Sequence, residues 1–163
     1  MAKKKKNNNP SIRKWLYACE ADEISGKFTM IPPELYEAEK VQALSPQARD
    51  FYIFLNVYRS TEQQQACLYR ILTEYNKVQG LGMSDLDIQN EAILSKGNKY
   101  NEGLFVAPKS YIEKYGYTDS KAKRYKRELI AKGFIKRKYY GLGYIQGYEN
   151  NITVYQFTND WKG

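Results

Sequence analysis

From Leu104 onward the spacing of apolar positions runs from continuous to helical and then to alternating. Leu104-Phe105-Val106 is a short apolar run that predicts a strand. Pro108 suits the first position of a helix, and Lys109 to Tyr115 gives about two turns ended by Gly116. With Leu129 at the centre of a 3.6-residue period, Ala122, Tyr125, Leu129 and Gly133 fall within roughly 40° of one line. Ser120, Lys123, Arg124 and Arg127 fall on the opposite side. A helix from Asp119 is therefore predicted, one face built for a core and the other presenting cations. Gly133 suits the C′ stop, since glycine tolerates the left-handed conformation there. Ile135 to Tyr140 then reads as a strand, Gly141-Leu142-Gly143 and Gly147 as a turn region, and Thr153 to Phe157 as a returning strand.

Upstream, Ser45 is a good N-cap and Pro46 fits the first helical position. The run Phe51 to Leu55 is apolar on most sides, which predicts a well-buried helix. Thr61 to Gln79 continues with helical spacing, with Leu68, Ile71, Leu72, Tyr75 and Val78 as its stripe and Gly80 and Gly82 interrupting it. Ser84 caps a further predicted helix, Asp85 to Ser95, whose first-turn acids Asp85 and Asp87 suit the helix dipole. Lys96 to Gly103 is a polar turn. Nearer the start, Phe28 to Ile31 reads as a short strand stopped by Pro32-Pro33, and Glu34 to Val41 as a short helix. Met1 to Pro10 has no apolar content to bury, so disorder is expected.

Strand, short helix, glycine-containing turn, basic helix, strand, wing, strand is the order of a winged helix-turn-helix. The fold expected is α+β, mainly helical: a winged helix-turn-helix with an N-terminal extension and a helical insertion. Its divisions are a disordered basic tail over 1–10, an N-terminal extension over 11–43, and the winged-helix domain over 44–163 with its insertion at about 60–100. The insertion either serves dimerisation or partner binding, or simply packs on the core.

Charge changes the picture once it is located. The net charge of +8 is unevenly spread. Residues 1–14 carry six cations and no acid, and residues 104–140 carry eleven cations against three acids. Residues 15–103 are acidic, with thirteen acids against eight cations. Such focusing suits a polyanion-binding face. A cationic run in isolation is more often a solvated helix face, but here helix, turn and hairpin occur in sequence around it. The lysine tail serves either non-specific phosphate attraction or solubility. No run of eighteen apolar residues occurs, so no membrane span is expected, and no apolar segment follows the N-terminal lysines as in a signal peptide. Cys19 and Cys67 lack CxxC spacing and read as reduced thiols of a cytoplasmic protein.

Phe28 with Ile31-Pro32, Leu44-Ser45-Pro46 with Ala48, Gly116, the helix carrying Arg124 and Glu128-Leu129, Gly133-Phe134-Ile135 and Val154-Tyr155 form a loose pattern over roughly half the chain. It resembles the winged helix-turn-helix proteins of bacterial plasmids, phages and integrative elements, including replication initiators. The long insertion departs from the compact form of that pattern. The resemblance implies a regulator or a replication or maintenance factor of a mobile genetic element.

The chain has no histidine, which removes imidazole bases, Ser-His and Cys-His nucleophile pairs and the usual zinc sets. It has no phosphate-binding glycine loop, and Gly141-Leu142-Gly143 belongs to the wing. Asp85 and Asp87 lack a third metal ligand in the sequence. No catalytic residue, metal or cofactor is expected, and the chain does not read as an enzyme. The partner expected is double-stranded DNA. Ser120, Lys123, Arg124 and Arg127 are candidates for groove contacts, an arginine pairing guanine in bidentate fashion. Lys121 and Lys126 on the helix flanks, and Lys109 with Lys114 on the preceding helix, face phosphates. Along the wing strand, Lys136 and Lys138 are expected to face one way, Arg137 and Tyr139 the other. Tyr140 and Tyr144 pack either on sugars or, by preference, on the protein. A homodimer through the insertion and a protein partner for the basic face are the alternatives. The latter would make the chain an interaction module, for example an inhibitor of a host defence protein or ribonucleoprotein.

Overall fold

A computed structural model describes residues 33–59, 61–94, 103–148, 151–158 and 160–162. The expected tail over 1–10, the strand Phe28 to Ile31 and most of the polar turn before Gly103 lie outside the described residues. In chain order the elements are α1 (Pro33–Glu37), α2 (Glu39–Gln42), α3 (Pro46–Tyr58), α4 (Glu62–Gln79) and α5 (Asp85–Leu94). Then come β1 (Leu104–Val106), α6 (Lys109–Lys114), α7 (Asp119–Ala131), β2 (Ile135–Tyr139), β3 (Val154–Phe157) and a 3-10 turn, Asp160–Lys162. The chain is α+β and mainly helical, with one small antiparallel sheet ordered β1-β3-β2.

The sheet separates two cores, because residues along a strand alternate between its faces. On one side Phe105, Ile135, Tyr155 and Phe157 meet Phe51, Tyr52 and Leu55 of α3 and Ala122, Tyr125 and Leu129 of α7. Phe134 stacks on Trp161 with ring centroids 5.4 Å apart and closes that core at the C-terminal end. On the other side Leu104, Val106 and Val154 meet Leu68, Ile71, Leu72 and Tyr75 of α4 and Ile88 and Ala92 of α5. Residues 62–94 therefore pack on the sheet and cover its second face. Each large side chain buried there contributes about 1.5–3 kcal/mol, so this helical pair is integral to the stability of the sheet.

Local chemistry explains most element boundaries. Ser45 caps α3, its Oγ accepting from the Ala48 N–H at 3.2 Å, with Pro46 at the first helical position. Thr61 caps α4 in the same way through the Gln64 N–H. Ser84 and Asp87 form a reciprocal pair at the start of α5: the Asp87 N–H donates to Ser84 Oγ and the Ser84 N–H to Asp87 Oδ2. The Ser84 bonds hold the Asp87 carboxyl below its ordinary range, so Asp87 is accounted for by capping. At the end of α7, Gly133 at φ 79° lets its N–H reach the Ile130 carbonyl and the Phe134 N–H reach that of Leu129. This is the Schellman arrangement.

Three expectations are corrected. Pro108 is the N-cap of α6, at ψ 142°, and Lys109 is the first helical residue. Glu34 to Val41 does not form one helix, because Ala38 is extended (ψ 132°) between α1 and α2. Val78 is 66% exposed, and the buried stripe of α4 instead extends back through Cys67 and Gln64. By helical angle Val78 lies between Cys67 and Ile71, which are buried, so its exposure comes from its place in the last turn of α4 and not from a different face.

Candidate nucleic-acid interface

The basic helix is oriented by its own apolar face. Ala122, Tyr125 and Leu129 are buried against the first core, which turns Ser120, Lys121, Lys123, Arg124 and Arg127 outward. Ahead of it, the turn from α6 bends at Gly116 (φ 88°), and Thr118 caps α7, its Oγ1 accepting from the Lys121 N–H at 3.4 Å. The turn is fastened to α3. Tyr117 packs edge-on against Phe51 at 5.0 Å, and its hydroxyl donates to the Asp50 carboxylate. Burial, then the neighbouring Asp50, pushes the Tyr117 phenol well above its ordinary range, so it remains a donor.

Two depressions adjoin on this surface. The outer one, of about 440 Å³, is lined by Asp119, Ser120, Lys121, Lys123, Arg124 and Arg127. The inner one, of about 550 Å³, lies between α7 and the sheet. It brings Lys109, Lys123, Lys126, Arg127 and Arg137 around a floor of Ala107, Ile130 and Tyr155, with Asn151 and Thr153 also lining it. Lys126 is half-buried, its ammonium 5.3 Å from the Tyr155 ring centre, and the Arg124 guanidinium lies 5.2 Å from that of Tyr125. Aromatic faces thus support two of the cations without neutralising them.

Lys123 pairs with Asp119 at 2.8 Å and Lys109 with Glu113 at 3.7 Å, both one helical turn apart. Exposed pairs of this kind are weak because water screens them, so both lysines can exchange their carboxylate for a stronger anion. The Lys123 hydrogen bond, with Lys109 and Lys126 at longer range, holds the Asp119 carboxyl below its ordinary value. It is an anion at neutral pH. Lys114, expected among the phosphate-facing residues, is exposed but lines neither depression.

The strand β2 departs from simple alternation. Lys136 pairs with Gln156, Arg137 with Tyr155 and Tyr139 with Val154, so a bulge lies between Arg137 and Tyr139. A one-residue bulge reverses the facing of the residues beyond it. Arg137 and Tyr139, expected to share a face, are on opposite ones: Arg137 lines the inner depression, whereas Tyr139 lies 5.9 Å from Tyr75 of α4. Lys136 and Lys138 are exposed but line neither depression.

The segment after β2 is bound to α4. Gln79 Nε2 donates to the Tyr140 carbonyl at 3.0 Å, Arg70 Nη2 to that of Gln146 at 2.7 Å, and Tyr75 Oη to that of Ile152. Ile145 and Ile152 are buried in the second core. Tyr140 and Tyr144, expected by preference to pack on the protein, are 62% and 73% exposed. Sequence reasoning missed the place of Asp119 between the two depressions and of Tyr155 as a floor. The helical register sets Asp119 one turn before Lys123, but its place between two depressions needed the packing of α7 on the sheet. The second needed the β2–β3 pairing.

No family model matches this chain, and no curated protein or solved structure shows significant similarity to it. Among the described residues no helix is long and apolar enough to cross a membrane.

Proposed function

We propose that this chain is a double-stranded-DNA-binding protein of the winged helix-turn-helix type, without catalytic function, in which α7 enters the major groove. The observation that carries the reading is the clustering of Lys109, Lys121, Lys123, Arg124, Lys126, Arg127 and Arg137 along one helix and the groove beside it. A helix with its apolar face buried and its cationic face turned to solvent is the element that fits a major groove. The order of elements and the β1-β3-β2 sheet support the same reading, with α6 and α7 as the helix-turn-helix and α4–α5 as an insertion behind the sheet. Arg124 and Arg127 reach base edges, while Lys109, Lys126 and Arg137 hold the phosphate strand in the inner depression. The biological role proposed is that of a regulator or a replication or maintenance factor of a mobile genetic element. The exposed Val78 and Leu86 on the insertion give a homodimer its apolar contact.

The test is a salt titration of binding to random duplex DNA, comparing wild type with Arg124→Ala/Arg127→Ala. Six neutralised phosphates give a slope of log K against log[salt] of about −5. The double variant is expected to bind more weakly, with a shallower slope. Absence of duplex binding at low salt sinks the reading.

A second reading, a protein-interaction module, draws on the exposed Tyr140 and Tyr144, since tyrosines on a surface are common interface anchors. Affinity for an acidic protein surface without DNA affinity at physiological salt favours it.

A further inference from the structure

Among the described residues lining the two depressions, Asp119 is the only acid. It is the first residue of a thirteen-residue helix, it lines both depressions, and its side chain is 36% exposed. In a surface that only held phosphate this carboxylate would be a defect. It subtracts one charge, repels the backbone and occupies Lys123 at 2.8 Å. It also cancels the attraction that the amino end of a helix otherwise exerts on phosphate.

We propose that Asp119 is a specificity-determining residue. Its carboxylate keeps phosphate from the start of α7 and selects a base carrying an exocyclic amino group in the major groove, cytosine N4 or adenine N6. The inference rests on the DNA-binding reading and deepens it. An ionised carboxylate only accepts hydrogen bonds, so it pairs with an amino group and is repelled by guanine O6 and N7 and by thymine O4. Arg124 and Arg127 are donors only and have the opposite preference, for guanine. One helix therefore presents an acceptor at its start and donors further along. At 1.5 Å rise per residue, Arg124 and Arg127 lie about 7.5 and 12 Å beyond Asp119, roughly two to four base steps of 3.4 Å. The expected site has an amino-bearing base that far from a guanine.

A helix-capping role alone would affect only stability, so the test reads sequence preference and salt dependence. Wild type, Asp119→Ala and Lys123→Gln are each used to select sites from a pool of randomised duplexes, and their binding to random duplex is titrated with salt. Asp119→Ala is expected to bind random duplex about 3–10-fold more tightly at low salt, with a slope steeper by about one, because a repelling charge is lost and Lys123 is released. It is also expected to lose the amino-base preference at one position while keeping the guanine preference. Lys123→Gln, which leaves the carboxylate in place, is expected to bind random duplex more weakly and keep both preferences. If Asp119→Ala selects the same sites as wild type, the proposal is wrong. It is equally wrong if Lys123→Gln loses the amino-base preference, since Lys123 would then set that position. If none of the three binds duplex, the DNA-binding reading fails and takes this proposal with it. Whether the selected base is cytosine or adenine is read directly from the wild-type sites.

Discussion

Ser45 and Glu128, eighty-three residues apart, are joined by two hydrogen bonds of 2.7 Å, from the Ser45 N–H to Oε1 and from its Oγ–H to Oε2. The same Ser45 Oγ accepts from the Ala48 N–H, so the cap of α3 and the last turn of α7 share one side chain. Lys132 completes the junction, donating to the Ala43 carbonyl at 2.7 Å and lying 3.4 Å from Glu128 Oε1. The orientation of the basic helix is thus coupled to how the first buried helix begins.

Ser45→Ala removes a cap and a charged hydrogen bond together, and is expected to destabilise the chain by about 1–3 kcal/mol. Urea unfolding at neutral pH measures it. A change within error would mean that neither the cap nor the Oγ–H bond to Glu128 adds to stability.

Glu128→Gln tests the same junction through pH. Partial burial raises the Glu128 carboxyl, but the Ser45 bonds and Lys132 outweigh it and hold the group below its ordinary 4.5. A carboxyl depressed by folding adds stability that is complete above its unfolded value and lost as pH falls through its folded value. The difference in urea midpoint between wild type and variant is expected to be widest at neutral pH and to close as pH drops below 4.5. A gap that persists or widens in acid contradicts the assignment.

Arg137→Ala is expected to weaken duplex binding and to make the salt slope shallower by about 0.9, the loss of one phosphate contact. Lys136→Ala and Lys138→Ala, outside the inner depression, are expected to change the slope less. Fluorescence anisotropy at four or more salt concentrations separates them, and equal effects at all three positions would place the phosphate strand outside that depression.

Gly133→Ala meets both a left-handed backbone, φ 79°, and a contact of 3.1 Å between the new Cβ and Asp160 Cβ. Gly141 has a similar φ of 81° with nothing within 4 Å. Both substitutions carry the conformational cost of about 1 kcal/mol, and Gly133→Ala is expected to exceed Gly141→Ala because it also displaces the turn holding Trp161. Thermal melts of the two variants rank them.

Leu72→Ala in α4 is expected to cost about 2–5 kcal/mol and to leave a single unfolding transition. Leu104 and Phe105 are neighbours in β1 but belong to different cores, so the sheet cannot lose one face and keep the other. Circular dichroism and tyrosine fluorescence followed in urea should coincide. An early separate loss of α4 and α5 would show the helical pair to be an independent unit.

Helix existence, caps and the buried face of α7 are legible from the sequence because they depend on local spacing. Ser45-Pro46, Ser84 and Gly133 each state their own role within one turn of helix. The features that are not legible depend on pairing between distant segments. The bulge that separates Arg137 from Tyr139 exists only because β3 fixes the register, and the docking of the 140–148 segment depends on Arg70 and Gln79, and that of Ile152 on Tyr75, about seventy residues earlier. The exposed cations themselves can be read from the helical period. Their division between two depressions, with an acid between, cannot.

Because β3 is central, β2 keeps one edge without a strand partner in this sheet. Such an edge is a template on which another chain can add a strand, the first step of aggregation. Lys136, Arg137 and Lys138 stand in succession along it, and like charges brought together by edge pairing repel. The placing of Arg137 alone of the three in the inner depression gives this defence a reserve. An anion in the inner depression neutralises Arg137 and leaves Lys136 and Lys138 charged, so the edge stays guarded against self-assembly while the groove beside it is filled.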